Sequence, residues 1–240
     1  MCNPLGWSAR GPRPARSLAA LGMTTIDSRL PAERERPPIP ESIRLIAITD
    51  DLRDGLDGLV RRSVAACRGG ATMIQLRLKE LDPRDLVHVA HALVAAVPVP
   101  VVVNDRADVA LAAGAAGVHV GVDDIPASAL RGVVPPAFII GASVGSAEEL
   151  PNASGADYVG IGPVFATRSK ADAGDAIGTT EFSRLARLTG LPAVAIGGID
   201  AGNCREARAA GASGVAVIRA IFSARDPEQA AKELSSASES

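Results

Sequence analysis

Aromatic residues make up only 2% of this 240-residue chain, so no ladder of stacking rings exists to hold single-stranded nucleic acid. Charge of either sign is not in excess: the formal net charge is −2 at pH 7. No basic surface is available for a polyanion, and any anion site must be local. The three cysteines, Cys2, Cys67 and Cys204, form neither a CxxC pair nor a metal-ligand spacing, which fits a reducing cytoplasm. No apolar run approaches the roughly 18 residues of a membrane span. Also missing are a Ser/His/Asp set, a catalytic-cysteine context and a zinc motif, so chemistry led by a strong nucleophile or by zinc is not indicated.

What the chain has is aliphatic: 47% of residues are hydrophobic, and the core must be built from Ala, Val, Leu and Ile. Residues 1–40 differ, being rich in proline and arginine with little periodic hydrophobicity, and read as a disordered extension; Met23 is an alternative start. Residues 41–236 read as one domain, and 237–240 as a frayed end.

From residue 43 short β-rich runs alternate with Ala/Leu/Arg-rich helical segments. The runs are "IRLIAIT" (43–49), "ATMIQLR" (71–77), "VPVVVN" (99–104), "GVHV" (117–120), "FIIGAS" (138–143), "DYVGIG" (157–162), "PAVAIGG" (192–198) and "GVAVIRA" (214–220). A Gly-Ala pair precedes the strands at 70–71, 114–115, 155–156 and 211–212. Eight strand–helix units in this length predict a parallel sheet closed as a (β/α)₈ TIM barrel, with a doubly wound open sheet as the alternative.

In such a barrel the chemistry sits on loops leaving the C-terminal strand ends, and the polar residues gather there. Gln75, Arg77 and Lys79 alternate with Leu76 and Leu78, so they share one strand face. Turned inward near the mouth, an amide and two cations form an anion site; paired with acids of neighbouring strands, they are structural. Asn104 and Asp105 follow the third strand, and His119, Asp123 and Asp124 occupy or follow the fourth. Asp105 and Asp124 can meet at the mouth as carboxylates for Mg²⁺, which typically takes one or two carboxylates plus substrate phosphates. Singly, each also reads as a helix N-terminal acid or cap. Ser143 ends the fifth strand, and Thr167, Ser169 and Lys170 lie in a long loop after the sixth, suited to cover a ligand or to lie solvated. Gly197-Gly198 and Ile218-Arg219 end strands seven and eight, where barrels commonly bind phosphate through backbone N–H groups. His119 reads as a structural, hydrogen-bonded histidine, with catalysis as the alternative, and His88 and His91 as helix surface or packing.

The segments "QLRLK", "NDRADVALAAGAAGVHVGVDD", "GASV", "DYVGIGPVFATRSK", "AIGGI" and "GVAVIRAIF", in this order, resemble the thiamine phosphate synthase family over roughly residues 43–235. The resemblance implies a (β/α)₈ barrel, usually a homodimer. Its reaction joins a hydroxymethylpyrimidine diphosphate to a hydroxyethylthiazole phosphate and releases diphosphate with Mg²⁺. It also implies that Gln75, Arg77, Lys79 and Asn104 hold the pyrimidine diphosphate, that Asp105 and Asp124 are metal ligands, and that Ser143 contacts the pyrimidine substrate. Thr167, Ser169 and Lys170 would meet thiazole phosphate and diphosphate; Gly198 with Ile218 and Arg219 would cradle the thiazole phosphate; Arg77, Lys79 and Lys170 would be the catalytic cations. The chain departs from the family pattern at Leu78 (usually Glu), Val122 (usually Gln), Ser169 (usually Thr) and Arg219 (often Ser). A related thiazole tautomerase, a phosphosugar isomerase or aldolase barrel, and a non-catalytic precursor-binding barrel are the competing readings.

Overall fold

Eight four- to six-residue strands close on themselves in sequence order, each parallel to its neighbours, with β1 pairing both β2 and β8. The computed structural model describes residues 38–167 and 174–239. Its strands are β1 (Leu45–Ile48), β2 (Met73–Leu76), β3 (Val101–Asn104), β4 (Gly117–Val120), β5 (Ile139–Val144), β6 (Tyr158–Ile161), β7 (Ala193–Ile196) and β8 (Gly214–Val217). The closed barrel replaces the open-sheet alternative.

Two apolar clusters follow from the period-2 alternation. Side chains such as Leu45, Ile74, Leu76, Val103, Val118 and Val215 face outward and pack under the helices. Ile46, Ile48, Met73, Val102, Tyr158, Val194 and Ala216 fill the barrel interior. Strands buried on both faces explain the near-continuous Val/Ile/Ala runs and the small need for aromatic bulk.

The helices between strands are α2 (Gly55–Arg68), α3 (Pro83–Ala96), α4 (Ala107–Ala112), α5 (Ala127–Arg131), α6 (Gly178–Thr189), α7 (Cys204–Ala209) and α8 (Arg219–Phe222), with a 3₁₀ turn at Ala147–Ala153. A short α1 (Ile39–Ser42) precedes the barrel, and α9 (Pro227–Glu239) packs against α2. The α3 start is set by Asp82, whose side chain accepts the Asp85 N–H at 3.0 Å, with Pro83 at the first helical position.

Three boundaries differ from the sequence reading. The eighth strand stops at Val217, and Arg219 already begins α8. The last helix runs to Glu239, through residues read as a frayed end. Residues 39 and 40 lie in α1, while residues 1–37 of the extension read from the sequence lie outside the described residues. No helix among the described residues is long and apolar enough to cross a membrane.

Candidate active site

A cavity of about 1180 Å³ opens at the C-terminal ends of the strands. Gln75, Arg77, Lys79, Asn104, Asp105, Asp124, Ser143, Thr167, Gly198, Ile218 and Arg219 all line it. Of the residues singled out from the sequence, Ser169 and Lys170 lie outside the described residues.

β2 ends at Leu76, so Arg77 and Lys79 stand just past the strand rather than in it. Their alternation persists because Thr49, fully buried after β1, pins the chain: its hydroxyl oxygen accepts the Arg77 N–H at 2.8 Å, and its own N–H donates to the Gln75 carbonyl at 2.9 Å. Leu76 and Leu78 pack on the helix-side cluster, while Gln75 is buried on the inner side. The arginines that form ion pairs among the described residues are Arg53, Arg62, Arg106, Arg131 and Arg184. Arg77 and Lys79 are not among them. They line the cavity without a carboxylate within 4.0 Å among the described residues, their charges acting at longer range on Asp105, an arrangement that can take an anion.

Asp105 and Asp124 do meet. Asp105 has a left-handed backbone, with φ of 64°, a region that Asp tolerates better than most residues. Its N–H donates to the His119 carbonyl at 2.8 Å, which fixes the turn out of β3 against β4. Burial, then the hydrogen-bonding reach and charge of Asp124, push the Asp105 carboxyl up to about 6, against the opposing pull of Lys79 and Arg77. Neither acid caps a helix. The cap of α4 is Arg106, that of α5 is Pro126, and Asp124 instead accepts the Gly121 N–H at 2.6 Å. Two neighbouring carboxyls fit a divalent cation held by two acids and substrate oxygens. No cluster of three or more His, Cys, Asp or Glu suited to a metal exists among the described residues.

Inside the mouth runs a polar band. The Gln75 amide N–H donates to the Asn104 carboxamide oxygen at 2.8 Å. His119, only 9% exposed, lies 3.1 Å through Nδ1 from the Tyr158 hydroxyl and 3.1 Å through Nε2 from Ser143 Oγ. This matches the hydrogen-bonded role expected for His119, while His88 and His91 lie exposed on α3. Sequence reasoning missed Tyr158, the one tyrosine, and Glu149, whose carboxylate accepts the Gly145 N–H at 2.6 Å and lines the cavity. For Glu149 the signal was the Ser-x-x-Glu spacing at 146–149, although the segment is a 3₁₀ turn without a side-chain cap and Glu149 reaches past Ser146 to Gly145.

On the opposite wall, Gly197 and Gly198 have φ of 95° and 66°. The chain after β6 lies directly on them: the Val164 N–H donates to the Ile196 carbonyl at 2.8 Å and the Phe165 N–H to that of Gly197 at 3.0 Å. That contact seats the segment leading to Thr167. Ile218 and Arg219, at the end of the adjacent β8, complete this wall.

The thiamine monophosphate synthase family model matches residues 45–221. A thiamine-phosphate synthase of Roseiflexus castenholzii is 45% identical over 203 residues, covering 82% of this chain and 89% of that protein. One from Xanthobacter autotrophicus is 44% identical over 205 residues, covering 83% and 97%. The solved thiamine phosphate pyrophosphorylase from Pyrococcus furiosus superposes with a TM-score of 0.74 at 37% identity, covering 84% of this chain and 98% of its own. With its closed barrel and the polar mouth assembled from strands two to five, the chain belongs to the thiamine monophosphate synthase family.

Proposed function

We propose that the protein is a thiamine phosphate synthase. As a transferase it condenses 4-amino-2-methyl-5-(diphosphooxymethyl)pyrimidine with 4-methyl-5-(2-phosphooxyethyl)thiazole, giving thiamine phosphate and diphosphate. The observation that carries the reading is the pair of cations Arg77 and Lys79, outside any ion pair among the described residues, beside the facing acids Asp105 and Asp124.

The chemistry asks for little proton transfer. The bond between the pyrimidine methylene and the diphosphate oxygen breaks, its electron pair leaves with the diphosphate, and the electron-rich aminopyrimidine carries the positive charge. The thiazole nitrogen, already a free nucleophile, then supplies the electron pair of the new C–N bond. Arg77 and Lys79, joined by Lys170 from outside the described residues, hold the leaving diphosphate where charge accumulates. Gln75, Asn104 and Ser143 orient the pyrimidine. Thr167, Ser169, Gly198 and the chain at Ile218-Arg219 hold the thiazole phosphate, which aims the nucleophile at the methylene. Asp105 and Asp124 would hold Mg²⁺, which when bound neutralises diphosphate charge. The protein acts as a cytoplasmic homodimer in this reading.

The test is direct. Purified protein, both substrates and Mg²⁺ are incubated and the product is followed by mass spectrometry. Thiamine phosphate and one equivalent of diphosphate are expected; a folded protein that binds both substrates and yields neither refutes the reading.

A further inference from the structure

Ser143, His119 and Tyr158 sit on three consecutive strands, and the register explains why they touch. His119 pairs with Gly141, and Gly141 with Tyr158, so the two rings flank a glycine. A Cβ on Gly141 would lie 2.5 Å from both His119 Nδ1 and Tyr158 Oη, and one on Gly160 would lie 3.1 Å from His119 Cε1. Two strand glycines therefore clear the space in which the rings meet, with centroids 5.5 Å apart.

Hydrogen-bond accounting fixes the direction of this chain. The Tyr158 side chain is fully buried, and burial raises its phenol well above the ordinary range, so the hydroxyl keeps its proton. That proton needs an acceptor, and the one within reach among the described residues is His119 Nδ1 at 3.1 Å. An imidazole accepting at Nδ1 carries its own proton on Nε2. Nε2 therefore donates to Ser143 Oγ at 3.1 Å. The serine oxygen then accepts from His119, which leaves its own O–H available to the cavity that Ser143 lines.

We infer that Tyr158 and His119 are positioning residues that hold Ser143 as a hydrogen-bond donor to an acceptor atom of the pyrimidine diphosphate. The inference deepens the proposed synthase activity and rests on it. Without Tyr158 the donor that selects this tautomer is gone, and an imidazole that accepts from Ser143 through Nε2 would withdraw that donor from the ligand.

A double-mutant cycle tests this. Tyr158→Phe keeps the ring and removes the relay's first proton. A fall in kcat of about tenfold is expected, the scale on which partners that orient a contacting group act. The KM for the thiazole phosphate stays unchanged. Added to Ser143→Ala, Tyr158→Phe should cost less than twofold more, because a relay has nothing left to orient. An effect of Tyr158→Phe that is undiminished in the Ser143→Ala background, or no effect on kcat in wild type, overturns the inference. Should Tyr158→Phe fail to fold, His119→Asn in the same cycle decides by the same criteria. Failure of the synthase reading itself is distinguishable, since the wild-type protein would then make no product.

Discussion

The Gln75 side-chain N–H donates to the Asn104 carboxamide oxygen at 2.8 Å, joining β2 to β3 at the cavity wall. The bond sets both amides: Gln75 keeps its carbonyl oxygen for a ligand, and Asn104 keeps its NH₂. Gln75 is 4% exposed, so water does not replace a lost partner. Gln75→Met is expected to free Asn104 to rotate and to lower kcat/KM for the pyrimidine diphosphate by about tenfold, roughly the worth of one buried hydrogen bond. The KM for the thiazole phosphate should not move, and steady-state kinetics varying each substrate separately checks both.

Arg77 lies outside the ion pairs formed among the described residues. Its charge is the smallest of the influences on the Asp105 carboxyl, so Arg77→Ala should lower the unfolding midpoint by only about 1–3 degrees, as for surface changes. Turnover should fall by about 10²–10³, the usual cost of a lost donor to developing charge. Inorganic diphosphate should raise the melting temperature of wild type, as any ligand of the native state does, and raise that of Arg77→Ala much less. Thermal shift with and without diphosphate, alongside kcat, decides.

Much of this was legible in the chain because it depends on local period. Eight runs at barrel spacing gave the architecture, and the alternation of Gln75, Arg77 and Lys79 with Leu76 and Leu78 survives even though β2 ends at Leu76. Contacts between distant segments were not legible. The His119–Tyr158 bond spans 39 residues and His119–Ser143 spans 24, and only strand register brings them together. The β8 boundary was misjudged because "GVAVI" runs apolar up to Arg219, and periodicity cannot separate a short buried strand from the helix turn that follows it.

Gly198 has φ of 66°, and a Cβ there would lie 2.5 Å from the Ala166 carbonyl oxygen and 2.8 Å from Phe165. Backbone strain and a clash with main chain act together, so Gly198→Ala is expected to destabilise by about 1–3 kcal/mol. Relief of the clash would lift the segment carrying Thr167 off this wall. The KM for the thiazole phosphate should therefore rise more than that for the pyrimidine diphosphate. Equal changes in both KM values, or none, would count against the assignment of this wall to the thiazole phosphate.

Asp105 makes the strongest joint statement about stability and function. Its carboxyl is held up at about 6 by burial first and by Asp124 second. Between its ordinary value of 3.8 and 6, the folded state binds more protons than the unfolded one, so stability falls as pH rises through that window and stays flat above it. Asp105→Asn removes the cost while keeping a residue type that accepts the left-handed backbone. The variant should be more stable than wild type at pH 8 by on the order of 1 kcal/mol, a figure discounted because the group is only half-buried. The gain should vanish near pH 4. Turnover should fall by at least about 10², since a ligand for the charge-neutralising cation is gone. Mg²⁺ should stabilise the wild-type protein at pH 8 and not the variant. Unfolding curves at pH 4 and pH 8, with and without Mg²⁺, check each part: an Asp105→Asn protein no more stable than wild type at pH 8 contradicts the carboxyl pair, and a fully active one contradicts its role as a ligand.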